Sequence, residues 1–322
     1  MASEDRLTMS ALFGGLVAAS GFGLAGYSEW IAREAERMVP PDGAFREVDG
    51  ARLHYVALGD AGKPAIVMIH GLAGQLRNFS YAMTDALADG YRVILVDRPG
   101  SGYSVAHGAV QPNLAGQAAM IGQLIAFLGL EQPLVVGHSL GGAVALALAV
   151  AHPEHVGGLA LIAPLTQDQE QVPAAFRALA AMPAGFRRLM AQTIGTPLSR
   201  LNAERTLAEV FAPEPAPSDF ATRGGGALAQ RPGNIAAAAA DLSAASTDMP
   251  ALVARYRTLA MPVSILFGRD DAILAPDLHG EVTAGQIPGA TLQMVAGGHM
   301  LPVTQPEVTA AFVATAAQRV VR

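Results

Sequence analysis

From Pro64 to Pro164 short apolar runs alternate with longer helical segments, and this rhythm most restricts how the chain can fold. The runs are PAIVMIHG (64–71), YRVILVDRPGSG (91–102), PLVVGHS (133–139) and VGGLALIAP (156–164). Between them lie NFSYAMTDALADG (78–90), NLAGQAAMIGQLIAFLGL (113–130) and AVALALAVAHP (143–153), each read as one helix. Continuous apolar strands are buried on both faces, and intervening helices of this length are crossovers between parallel strands. Ahead of them FREVDGARLHYVALGD (45–60) holds two β runs around Asp49-Gly50, a hairpin signal. The rhythm stops after 166 and resumes with MPVSILFGRDD (261–271), a helix near APDLHGEVTAGQI, the strand ATLQMVAGGHM (290–300) and a last helix from Glu307. The expected architecture is therefore α/β: a mostly parallel, doubly wound sheet in a core of 45–166 and 258–322. A helical cap of 167–257 interrupts it, since that stretch is too long for a plain loop.

Composition narrows the function classes. Hydrophobic residues are 51% and charged ones 15%, as in a well-packed globular chain. The net charge is −6, the arginines are scattered and Lys63 is the sole lysine, so no basic patch exists to follow a phosphate backbone. Nucleic acid is not an expected partner. With no cysteine there are no disulfides, thiolate nucleophiles or cysteine metal sites. No histidine-rich metal motif or glycine-rich phosphate loop ending in lysine occurs, and neither metal nor cofactor is expected.

The N-terminus differs. Residues 7–28, LTMSALFGGLVAASGFGLAGYS, carry no charge, are long enough for a bilayer span, and end beside the interfacial aromatics Tyr27 and Trp30. Residues 1–30 are read as a hydrophobic segment that anchors the protein to a membrane, and 31–44 as a short charged helix plus linker. The rival readings are a cleaved signal peptide, which would make the protein secreted or periplasmic, and a helix docked on a cytoplasmic protein.

In a sheet of this kind ligands bind outside the carboxyl ends of the strands. Those ends deliver His70-Gly71-Leu72, Ser139, Asp270-Asp271 and His299, giving the chain order Ser, Asp, His. GHSLG (137–141) matches the G-x-S-x-G elbow, and with HG (70–71), DRPGSGYS (97–104), FGRDD (267–271) and GGHMLPVTQPE (297–307) the chain from Phe45 onward resembles the α/β-hydrolase superfamily. The resemblance implies a Ser-His-Asp triad with Ser139 as nucleophile, His299 as general base and Asp271, three residues after Gly268, as the acid. Asp270 is the alternative acid; Asp97 is read as a structural acid of its own loop. The oxyanion hole would be the backbone N–H groups of Leu72 and Leu140. His70 and His138 are read as scaffold or pocket wall, His54, His107, His152 and His155 as strand or loop residues, and His279 as part of the helix after the acid. The alternative for Ser139 itself is a serine capping the following helix.

The resemblance implies a serine hydrolase, with a carboxylic ester of a small or medium apolar acyl group as the expected small-molecule substrate. Lactone, amide or carbon–carbon bond hydrolysis by the same triad is the alternative. A non-catalytic binding or accessory protein on the same scaffold is the reading from another class.

Overall fold

The computed structural model describes residues 21–108, 111–169 and 171–320. Nine strands form one sheet: β1 (Ala44–Val48), β2 (Ala51–Leu58), β3 (Ala65–Ile69), β4 (Arg92–Val96), β5 (Val105–Ala106), β6 (Leu134–His138), β7 (Gly158–Ile162), β8 (Val263–Gly268) and β9 (Thr291–Val295). Their order is β1-β2-β4-β3-β6-β7-β8-β9, with β5 paired to β2. From β4 to β9 every neighbour is parallel; β1, β2 and β5 make the antiparallel edge. Val48 faces Ala51 across the hairpin, and Gly50 takes φ +88°, the left-handed conformation that a two-residue turn needs.

The strands bury both faces, and their side chains divide by period two. Val67 and Ile69 of β3, Val135 of β6 and Ile265 of β8 pack under helices α2 (Leu114–Phe127) and α3 (Leu140–Ala151). Their neighbours Ile66, Met68, Val136 and Leu266 face the other way, onto Phe79, Met83, Leu87 and the C-terminal helix α5 (Pro306–Val320). Asn113 caps α2, its side chain accepting the Gly116 N–H.

Between β7 and β8 the described residues contain no strand, only short helical turns and then the long helix α4 (Pro232–Val253). The segment around Phe211 and Phe220 packs on Met300 and Val303, so this helical layer sits over the carboxyl ends of the strands.

Two expectations change. The segment 78–90 is not one helix: Arg77–Ser80 and Asp85–Ala88 are separate, with turns between. Phe79, Met83 and Leu87 still bury at intervals of four, so the apolar stripe survives a break in the backbone ladder. Nor is 31–44 a linker. One helix, α1, runs through 21–38, and Ser28, Ile31, Ala32, Ala35 and Val39 are buried. Glu34 pairs with Arg200 at 2.9 Å and Glu36 with Arg231 at 3.1 Å, while the Tyr103 hydroxyl donates to the Val39 carbonyl at 2.6 Å. Ile31, Ala35 and Val39 are four apart and form one docking face among the charges. Of the hydrophobic segment 7–28, residues 7–20 lie outside the described residues, and 21–28 are helical and belong to α1. Among the described residues no helix is long and apolar enough to cross a membrane.

Candidate active site

Strand β6 runs into α3 through a single residue, Ser139, with φ +54° and ψ −124°. A non-glycine residue adopts this conformation only when its surroundings enforce it. Here the Ser139 N–H donates to Ile162 O at 3.1 Å, and its carbonyl accepts from Gly142 at 2.8 Å and Leu165 at 2.9 Å. Glycines make the close approach possible. A Cβ on Gly141 would lie 2.1 Å from the Ile69 carbonyl oxygen, and one on Gly137 2.5 Å from the Gly141 oxygen. The Ser139 side chain makes no capping bond to α3, so the helix-cap alternative does not describe it.

His299 follows β9 after Gly297, whose φ of +112° turns the chain back toward the sheet. Its Nδ1 lies 2.7 Å from Asp271 Oδ2, with both side chains almost fully buried. The other Asp271 oxygen accepts the N–H groups of Ile273 and Leu274 at 2.8 and 2.9 Å. Burial alone would raise the Asp271 pKa, but the His299 charge and hydrogen bond and these two N–H donors outweigh it and hold it below the usual carboxylate value. A carboxylate at Nδ1 fixes the proton there and leaves Nε2 as the acceptor. Asp270 is exposed and points to the loop, its nearest donor being the Gly297 N–H at 3.5 Å.

His138, just before the serine, places its ring 5.0 Å from that of His299 and donates from Nε2 to the His299 carbonyl at 3.0 Å. The elbow and the histidine loop are thereby joined. Burial, with the His299 ring beside it, pushes the His138 pKa down to about 3.

The turn carrying Leu72 rests on the elbow: a Cβ on Gly71 would stand 2.9 Å from Ser139 Cβ. Among the described residues the N–H groups of Leu72 and Leu140 donate to no backbone acceptor outside the regular elements, and Leu140 begins a helix, where N–H groups are free and the dipole is positive.

The sequence reading passed over the group that holds this turn. Arg98 is fully buried, donating from Nε to His70 O at 3.0 Å and from Nη2 to Gly71 O at 2.9 Å. Its Nη1 reaches Gln117 Oε1 at 2.9 Å and Asp241 Oδ2 at 2.7 Å. Asp241 comes from α4 and is itself fully buried, with Gln117 Nε2 on its other oxygen at 2.9 Å. The available signal was a lone carboxylate after five alanines (236–240), because a buried acid on such a face needs a cationic partner. Asp97, read as a structural acid, accepts from Leu76 N, Tyr103 N and His54 Nδ1, all at 2.8 Å, and lies apart from His299. His70 donates from Nδ1 to Gly71 O and accepts the Arg98 N–H on Nε2; burial, then the Arg98 charge, keep it neutral with a pKa well below the usual value. His279 accepts the Thr166 N–H on Nδ1 at 3.2 Å.

Two outcomes follow from these buried charges. Asp241→Ala strands the Arg98 cation and should cost about 3–5 kcal/mol of stability in urea denaturation, whereas the paired change Arg98→Met with Asp241→Leu should cost less than the two single changes summed. The second concerns acid. Burial pushes the His279 pKa from its ordinary 6.5 down to about 4. The unfolded chain therefore binds this proton first, and stability falls as pH drops from 6.5 toward 4, by on the order of 3 kcal/mol for this group. His138 acts in the same direction. His54 opposes them, because its bond to Asp97 overcomes burial and raises its pKa. The melting temperature should fall through this window, and less steeply in His279→Gln; equal slopes in calorimetry would remove His279 as a contributor.

Comparison with known proteins bears on the fold and the family. The family profile described as the alpha/beta hydrolase fold matches residues 64–306, well over half of the chain. The acetyltransferase component of an acetoin cleaving system from Cupriavidus necator is 41% identical over 126 residues, 38% of this chain and 32% of that protein. A 2-hydroxy-6-oxononadienedioate/2-hydroxy-6-oxononatrienedioate hydrolase from Paraburkholderia phymatum is 41% identical over 115 residues, 34% of this chain and 39% of its own length. The match thus spans 32% and 39% of the length of these curated relatives. Among solved structures, a putative lipase from Acinetobacter baumannii superposes with a TM-score of 0.70 at 20% identity, covering 91% of this chain and 96% of the lipase, which shows a shared fold. On the family match, the strand order and the elbow together, the chain belongs to the α/β-hydrolase family.

Proposed function

We propose that the protein is a serine hydrolase cleaving carboxylic esters of small to medium apolar acyl groups through an acyl-enzyme on Ser139. The observation that carries this reading is the buried 2.7 Å His299–Asp271 bond, joined through His138 to the elbow that holds Ser139 at φ +54° with an uncapped side chain. In the proposed reaction His299 Nε2 takes the Ser139 proton while Oγ attacks the ester carbonyl carbon. The oxygen's developing charge meets the N–H groups of Leu72 and Leu140. Collapse breaks the ester C–O bond, the alcohol leaves with the proton from His299, and a water activated the same way releases the acid. An apolar acyl group is supported by Phe211, Phe220, Met300 and Val303, which cluster next to His299.

A fluorophosphonate probe should label Ser139 stoichiometrically, as mapped by mass spectrometry. His299→Ala should abolish labelling, and Ser139→Ala should lower kcat/KM on p-nitrophenyl butyrate by about 10³-fold or more. A folded wild type that resists labelling would sink the reading. The second reading keeps the serine and cleaves a carbon–carbon bond; the hydrolase of Paraburkholderia phymatum favours it. Labelling together with inert esters would move it to first place.

We also infer that the protein associates with membranes through its N-terminal segment. The uncharged run up to residue 20 leads into α1, whose Phe22 is 81% exposed, with Tyr27 and Trp30 exposed behind it. Leu198 and Leu201 are exposed on the neighbouring cap turn, where Arg200 lies over the Trp30 ring. Truncation of 1–30 should move the protein from the membrane fraction to the supernatant; a truncated protein that still sediments with membranes would contradict this.

A further inference from the structure

A cleft of about 780 Å³ opens along α4, and Ser139, Asp271, His299 and the buried Asp241 do not line it. Its size is that of a small-molecule site. One wall is the loop from Gly100 to Ala106. The floor is a strip of small residues on α4, including Ala236, Ala237, Ala240 and Ala244, and the far wall carries Arg187 and Arg188.

The charge in this cleft is unbalanced. Among the described residues no carboxylate lies within 4.0 Å of Arg187 or Arg188. Arg188 is tied only to the Gly108 carbonyl at 2.8 Å, and Arg187 donates from Nη2 to Ser243 Oγ. Among the described residues the Nε of Arg187 has no acceptor. A guanidinium with an unsatisfied N–H and no carboxylate neighbour is uncommon and costly, and an anion against its exposed edge would offset its charge. The third arginine, Arg231, is already engaged by Gly102 O at 2.7 Å and by Glu36. The one acid in the lining, Asp248, is occupied by the Leu114 N–H at 3.0 Å.

We propose that this cleft is a second binding site, for an amphiphilic carboxylate. Its head would pair with the Arg187 and Arg188 guanidinium groups that line the far wall, and its alkyl chain would lie along the alanine floor of α4. A planar carboxylate suits a guanidinium, which offers donors in a fixed fork. The short side chains of Ala236, Ala237, Ala240 and Ala244 leave room for methylenes. The site does not depend on the reaction proposed for Ser139.

The test is equilibrium dialysis of labelled decanoate against the full chain, with 1-decanol and inorganic phosphate as competitors. Saturable binding should weaken about tenfold or more in the double variant Arg187→Gln with Arg188→Gln, whose folding is checked by melting temperature. Ala240→Leu, which fills the floor and leaves the arginines in place, should weaken it as well and carries the test if the double variant is unfolded. Decanol and phosphate should each compete poorly, since one lacks the charge and the other the chain. No binding, or binding unchanged in the folded variants, overturns the site. Decanol competing as well as decanoate would leave only an apolar groove, and phosphate doing so would leave a small-anion site; either overturns the assignment.

Discussion

The molecule is organised around the place where β6 turns into α3 within one residue. Ser139 is held at a positive φ that costs on the order of 1–3 kcal/mol, and the cost is borne because three backbone hydrogen bonds and two glycine contacts leave the chain no other path. The same packing brings β3 against the elbow: Gly141 touches the Ile69 carbonyl and Gly71 touches the serine Cβ. A larger residue at either glycine would move the serine or the Leu72 turn, so the two halves of the candidate site are set by one steric contact. The His299 loop is tied to that point through His138.

Buried charge does the remaining organisation. In a chain with only 15% charged residues, the interior charges around the site are concentrated in a few closed networks. Arg98 gathers the His70 and Gly71 carbonyls of the turn before Leu72, Gln117 of α2 and Asp241 of α4, and so ties the helical layer to the sheet. Asp97 gathers His54 and two backbone N–H groups in the adjacent loop. Each network works because every member is paired, since a single unpaired ion in this interior would be unstable. The open cleft over α4 is the contrasting case, where two arginines face a small-residue surface without a carboxylate partner.

Much of this was legible from local pattern. The apolar runs at 64–71 and 133–139 became β3 and β6, the hairpin at Asp49-Gly50 formed, and the glycine spacing around Ser139 marked the turn. Less was legible where a local pattern had two solutions. Phe79, Met83 and Leu87 have helical spacing, yet the backbone between them breaks into turns without losing their burial. The start of 31–44 read as a short charged helix leading into a linker, and its docking was not legible; Ala35 and Val39 pack on Ala227 and Leu228, almost two hundred residues later in the chain.

The sequence by itself determined the sheet, the face each strand residue takes and the strained serine turn, because periodicity and glycine sterics act between neighbours a few residues apart. The spacing after Gly268 favoured Asp271 over Asp270, but its 2.7 Å approach to His299, 28 positions away, and the meeting of Arg98 with Asp241, 143 positions away, belong to the tertiary structure. Such pairings depend on where separate strands and helices come to rest. No short-range pattern encodes that placement, and the low dielectric of the interior then makes the pairs that do meet obligatory.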